Sequence, residues 1–306
     1  RHKNIYICFC TLVYYMYALI LLYLALRYNL FSATYSTVKE VLSSGALIVH
    51  FRSLFWVATI PIAIYFDKRI FKKIIVPTCI IFFVLMFTGN RNDVLYPLAI
   101  GYSLFCYKNR KTSKVINILI IIILFVINPA ISDSRATGSI MNTTYKLNIV
   151  DAIMEMGGQI NPLTVTVSLF DRGIISHMYG LTLLLPTIAD INLGLIYSGN
   201  MYRSSIYYVP NILSLDNHYG QGYSMISELW LNFGLIGVMI ICFSIGYVCS
   251  SYEQSHMNSN QMIKYGGFSL MLFYWVRNSL QMNIEIVILT FIMIFICEKI
   301  TIGRGN

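Results

Sequence analysis

The chain has 306 residues, of which 57% are hydrophobic and 11% charged, with a mean hydropathy of +0.66. Soluble domains carry about 25% charged residues, so the composition excludes one and indicates an all-α polytopic integral membrane protein. The net charge of +9 does not signal nucleic acid. Lys68, Arg69, Lys72 and Lys73 form one basic cluster, and Lys108, Arg110, Lys111 and Lys114 another. Both lie in short loops between apolar runs, the positive-inside pattern, and no basic patch is interleaved with aromatics.

With the basic clusters cytoplasmic, about eight transmembrane helices are predicted. Span one covers about 5–26; it is span-length and so no cleavable signal peptide. An external segment, Arg27 to Ser44, leads to span two at about 45–66. Spans three and four, about 74–89 and 93–107, form a hairpin with Thr88-Gly-Asn-Arg-Asn-Asp93 at its tip. At about 1.5 Å per residue, Arg91 lies roughly 26 Å beyond Ile74, just inside the outer edge of the hydrocarbon core.

Span five, about 115–131, leads outward. Residues 132–222 then form one large extracytoplasmic loop inserted into a single transmembrane domain, 1–306. The loop has apolar pieces, Leu163 to Phe170 and Tyr179 to Ile196, broken by prolines. A long loop with structure of its own is usually functional. The second piece holds Asp190 and Asn192 and reads as interfacial or re-entrant.

Span six runs to about Cys249 as one continuous helix, with Ser224 as its N-cap. Ser224, Glu228 and Asn232 are spaced four apart and share one face. Span seven covers about 265–279, and span eight, about 281–298, brings the C-terminus inside. The chain begins at Arg1 rather than Met, so further residues are expected to precede it. The seven cysteines lie in or beside apolar runs, which implies neither a disulfide framework nor a metal site.

The embedded ionisable residues all fall in the outer half: Arg52, Arg91, Asp93, Glu228, Arg277 and Glu285. A coupled transporter places charge near the midplane, whereas chemistry at the external face collects it beneath the loop. The loop adds Arg135, Arg172, Arg203, His177 and His218, with Asp133, Asp171 and Asp216. Its acidic residues outnumber its lysines and arginines, so it is no polybasic lipid-binding surface. Individual arginines can still converge on phosphate, which their planar fork binds bidentately.

Alternatives stand beside each reading. Arg277 either binds ligand or snorkels to the interface. Arg52, with Trp56 four residues on, makes a structural cation–π contact or a ligand site. Glu228 is either a functional carboxylate or the buried partner of Arg277 or Arg91. His177 reads as a satisfied loop histidine. His218 adjoins a Gly-rich turn, Gly220-Gln-Gly222, that opens a helix N-terminus, a setting that attracts phosphate.

Thr88-Gly-Asn-Arg91, the single large external loop, and His218 to Gly237 (HYGQGYSMISELWLNFGLIG) together resemble the bacterial O-antigen and capsule repeat-unit polymerases of the Wzy type, relatives of the O-antigen ligases. The resemblance covers about residues 74–300, and the family usually has more than eight spans. It implies a GT-C-like polymerase/ligase architecture in the bacterial plasma membrane, with the active face extracytoplasmic.

The substrate implied is a polyprenyl-diphosphate-linked glycan, polymerised into O-antigen or capsular polysaccharide without metal or other cofactor. Arg91, Arg172, Arg203, Arg277 and Arg135 would bind the diphosphate. His218, at the position of a ligase histidine, would be the base, with Glu228 as second choice or as the group that orients it. Membrane lipids, a chain-length regulator and a flippase are the partners implied. An O-antigen ligase, a lipid-linked oligosaccharide flippase or transporter, and another membrane glycosyltransferase are the alternatives.

Overall fold

A computed structural model describes residues 2–31, 33, 35–44, 46–90, 92–109, 114, 117–118, 160–184, 224–253, 257–276, 278 and 280–302. Among these, the regular structure is helix and no strand occurs. In chain order the helices are α1 (His2–Arg27), α2 (Tyr35–Ser44), α3 (Ala46–Ile64), α4 (Lys68–Phe87), α5 (Asn92–Asn109), α6 (Ile160–Asp171), α7 (Met225–Glu253), α8 (Ser259–Trp275) and α9 (Gln281–Ile302). They cover the positions of spans one to four and six to eight; span five lies almost wholly outside the described residues.

Two helical stretches are long and apolar enough to cross a bilayer by themselves, Lys3–Arg27 and Met225–Tyr252. A shorter apolar helix is Ile48–Ile64. Leu235, Ile236, Met239, Ile240, Phe243 and Tyr247 of α7 are all exposed. Water penalises such a surface and lipid does not. Prolines sit inside α3, α4 and α5 at Pro61, Pro77 and Pro97, more readily tolerated in membrane helices than in soluble ones.

The chain divides into two compact units. One comprises residues 1–154, 259–270 and 289–306, and the other 155–258 and 271–288. In the first, α1 packs on α3 and α4, and α5 on α3 and α4. Its core is aromatic: Phe55 meets Tyr14 and Tyr17 at centroid distances of 5.0 and 5.2 Å. The Tyr14 hydroxyl, with no water to reach, pairs with Thr59 Oγ1 at 2.9 Å.

Asp67 caps α4, its carboxylate accepting from the N–H groups of Arg69 and Ile70 at 2.9 and 2.8 Å. The Ile70 N–H, and after it Lys3, hold this carboxyl below the usual carboxylate range.

The hairpin tip closes α4 and restarts the chain almost at once. Gly89 N donates to Met86 O at 3.1 Å and Asn90 N to Leu85 O at 2.8 Å, the paired bonds of a Schellman ending. Asp93 N then donates to Asn90 O at 3.1 Å as α5 begins. Both flanks of Arg91 are thus held, while Arg91 itself lies outside the described residues.

Below the tip, Arg52 is ion-paired with Asp93 at 3.6 Å and sits 5.1 Å from the Trp56 ring centroid. The Trp56 indole N–H donates to Asp93 O at 2.9 Å. Of the two readings of Arg52, the cation–π contact is present, and an ion pair accompanies it.

Candidate functional site

In the second unit, functional geometry gathers around the first turns of α7. Ser224 caps the helix, its Oγ accepting from Ser227 N at 3.1 Å. A side-chain acceptor at this position satisfies one of the N–H groups left open at a helix start. Ser224, Glu228 and Asn232 are all buried, Glu228 and Asn232 completely. Helical spacing places them on one face, and that face points into protein.

Glu228 and Asn232 each hold a segment remote in sequence. Glu228 Oε2 accepts the Trp275 indole N–H at 2.6 Å and the Leu280 backbone N–H at 2.8 Å. The carboxylate therefore ties down both ends of the turn that joins α8 to α9. Asn232 Nδ2 donates to Thr182 Oγ1 and to Glu228 O, both at 2.8 Å. Its Oδ1 accepts from Gly180 N at 3.0 Å and the Thr182 hydroxyl at 3.1 Å. All four hydrogen-bonding positions of the amide are in use.

The continuous helix expected from Ser224 to Cys249 is interrupted. Gly234 has φ 64° and ψ −167°, a region essentially restricted to glycine. An unbroken helix would bond the Leu231 and Asn232 carbonyls to N–H groups four residues on. Here Met178 N donates to Leu231 O at 3.1 Å and Tyr179 N to Asn232 O at 2.9 Å. Residues 178 and 179 thus take over the bonds that the break releases. Tyr179 itself adopts φ 46°, uncommon for a bulky residue, and these bonds on either side hold it there.

The break also makes room for a histidine. A Cβ added at Gly234 would stand 3.3 Å from His177 Nε2 and 3.4 Å from its Cε1. Backbone strain of about 1–3 kcal/mol adds to that crowding. Gly234→Ala is therefore expected to lower the melting temperature in detergent and to displace the His177 ring, read as a shift in the imidazole NMR signals.

Arg172 follows the last residue of α6 and is exposed. Gly173, at φ 69°, ends this helix: Gly173 N donates to Phe170 O at 2.8 Å and Ile174 N to Leu169 O at 3.0 Å. The left-handed residue turns the chain sharply and leaves Arg172 at the corner. Leu169, Ile175 and Leu231 form the small core that packs α6 against α7.

A model of the family described as O-antigen polysaccharide polymerase Wzy matches residues 1–304. The chain belongs to this family. Wzy-family proteins are membrane glycosyltransferases that polymerise polysaccharide repeat units. Among curated proteins, Protein CapE of Staphylococcus aureus is 26% identical over 178 residues, 55% of this chain and 37% of that protein. The match thus spans little more than a third of CapE. No solved structure matches the chain.

Of the Wzy-type site residues expected from sequence, Glu228 and Arg172 are described. Arg91, Arg135, Arg203, His218 and Arg277 lie outside the described residues, as do Asp190 and Asn192. The expectation that Glu228 pairs with Arg277 or Arg91 now stands beside its observed bonds to Trp275 and Leu280. Sequence reasoning passed over Thr182, Trp230 and Trp275 and treated His177 as a satisfied loop residue. Thr182 and Trp275 carry no local signal, since their partners are 50 and 47 residues away.

Proposed function

We propose that the chain polymerises polyprenyl-diphosphate-linked oligosaccharide repeat units into O-antigen or capsular polysaccharide at the outer face of the bacterial plasma membrane. The reading has eight spans in one transmembrane domain, with residues 132–222 outside. The observation that carries it is the buried pair Glu228 and Asn232 on one face of α7. This face binds the strip at residues 178–182, and it binds Trp275 and Leu280, which flank Arg277 in sequence. A polymerase of lipid-linked units needs such a scaffold, with loop and helix ends held rigidly at one level.

In the reaction, an acceptor sugar hydroxyl attacks the anomeric carbon of the donor unit. The new C–O bond forms as the bond from that carbon to the diphosphate oxygen breaks. The polyprenyl diphosphate departs with the electron pair, and His218 takes the hydroxyl proton. A single displacement inverts the anomeric configuration. Arg91, Arg135, Arg172, Arg203 and Arg277 are the candidates for neutralising diphosphate charge. Glu228 acts as a positioning residue, in keeping with its bonds to Trp275 and Leu280. A flippase delivers the units, and a chain-length regulator sets when growth stops.

The test is glycan ladder length in a host lacking its own polymerase, with membrane expression matched. Wild type is expected to restore a ladder, while Arg91→Ala and His218→Ala each leave single repeats on the lipid. Attachment of ready-made polymer by wild type would identify a ligase instead. Full ladders from both variants would remove those two residues from the mechanism.

A further inference from the structure

Three rings meet where α6 ends against the break in α7. Phe170 and His177 are 4.4 Å apart between centroids, Phe170 and Trp230 5.1 Å, and His177 and Trp230 5.4 Å. All three residues are half-buried, so each keeps some surface accessible. The two edge-to-face contacts at Trp230 suit aromatic quadrupoles and hold the cluster rigid.

Two polar atoms in the cluster have no hydrogen-bond partner among the described residues. The chain has three tryptophans. The indole N–H of Trp56 donates to Asp93 O, and that of Trp275 to Glu228 Oε2. The Trp230 indole N–H donates to none of the described residues, and the residue is half-buried.

His177 has the complementary vacancy. Its Nδ1 lies 3.4 Å from Leu231 O, which favours the proton on Nδ1 and leaves Nε2 a bare acceptor. Nε2 lies beside Gly234, where an added Cβ would stand 3.3 Å from it.

We infer that Phe170, His177 and Trp230 form a carbohydrate subsite for a neutral sugar ring of the glycan. An aromatic surface accepts the C–H face of a pyranose. A neighbouring N–H and bare nitrogen match two of its hydroxyls, one accepting from Trp230 and one donating to His177 Nε2. None of the three side chains carries a fixed charge, so the subsite suits the sugar rather than the diphosphate. The subsite rests on the polymerase reading and specifies where that enzyme grips its glycan.

Two arms test it on the full chain in lipid nanodiscs, using Trp230→Phe and His177→Gln. The first variant keeps the ring and drops the N–H; the second keeps a polar side chain and drops the imidazole. In one arm, free repeat-unit oligosaccharide, released by mild acid from the lipid-linked donor, is followed by saturation-transfer NMR. Wild type is expected to saturate the ring protons of a particular sugar, and each variant to weaken that signal.

In the other arm, each variant is expected to raise KM for the lipid-linked unit roughly tenfold, the factor given by an ordinary lost hydrogen bond. With kcat little changed, that pattern means lost substrate binding. Wild-type oligosaccharide contacts and KM in both variants, at matched melting temperature, would overturn the subsite and make the rings packing or interface anchors. A wild type that binds oligosaccharide through these rings but makes no polymer would overturn the polymerase reading and leave the subsite standing.

Discussion

Glu228→Ala is expected to lower the apparent melting temperature of the detergent-solubilised chain by at least about 5 °C and to abolish polymer formation. The carboxylate is fully buried and accepts two N–H groups, from the buried Trp275 indole and from the Leu280 backbone. Truncation strands both donors. Each unsatisfied buried donor costs about 1–3 kcal/mol, and more where the acceptor was charged. The total of roughly 3–5 kcal/mol corresponds to a shift of that size or larger.

On the role proposed for Arg277, activity is lost with it, because Trp275 and Leu280, which flank Arg277 in sequence, are both released. Glu228→Gln separates positioning from chemistry, since its amide oxygen still accepts a hydrogen bond while the charge is gone. A positioning role predicts that Gln recovers at least half of the lost melting temperature and activity within tenfold of wild type. A Gln variant as stable as wild type yet inactive would make the carboxylate itself a participant in the reaction.

Asn232→Asp carries the second large effect, although it changes only a single atom type. The wild-type Nδ2 points hydrogens at Glu228 O and Thr182 Oγ1, both at 2.8 Å. An aspartate oxygen in that place faces the Glu228 carbonyl lone pair to lone pair. It also puts a second carboxylate one helical turn from Glu228, in a site closed to water. Burying a charge there costs several kcal/mol.

The expected result is loss of the loop strip from α7, seen as new protease cleavage between residues 172 and 184 and as loss of ladder formation. Asn232→Ala should show a milder form of both effects, because it removes bonds without adding charge. Equal protease resistance in the Asn232→Asp variant and the wild-type chain would mean that the strip is held by other contacts.

The features legible in the sequence are those with local causes. The apolar runs marked the helices, because a bilayer-length stretch cannot satisfy its backbone except by coiling. Ser224 as a cap, and Ser224, Glu228 and Asn232 on one face, followed from helical periodicity within nine residues. The family likeness in Thr88 to Arg91 and His218 to Gly237 was likewise a matter of contiguous residues.

What the stripe would hold was not legible. Thr182, Gly180, Trp275 and Leu280 stand 47 to 52 residues from their partners, and no periodicity links segments across such a distance. The break at Gly234 was hidden for a related reason. Glycine occurs within apolar membrane helices without disturbing them, so Asn232-Phe-Gly reads as helix throughout.

Composition and pattern by themselves determined that this is a helical membrane protein with a polar stripe on the first turns of α7, because hydropathy and helical spacing are properties of neighbours along the chain. Only the tertiary structure decided that Gly234 leaves the helix, that Met178 and Tyr179 claim the carbonyls it releases, and that His177 meets Phe170 and Trp230 there. Those choices depend on which distant N–H groups arrive to satisfy a broken backbone, and the chain makes them only when it folds.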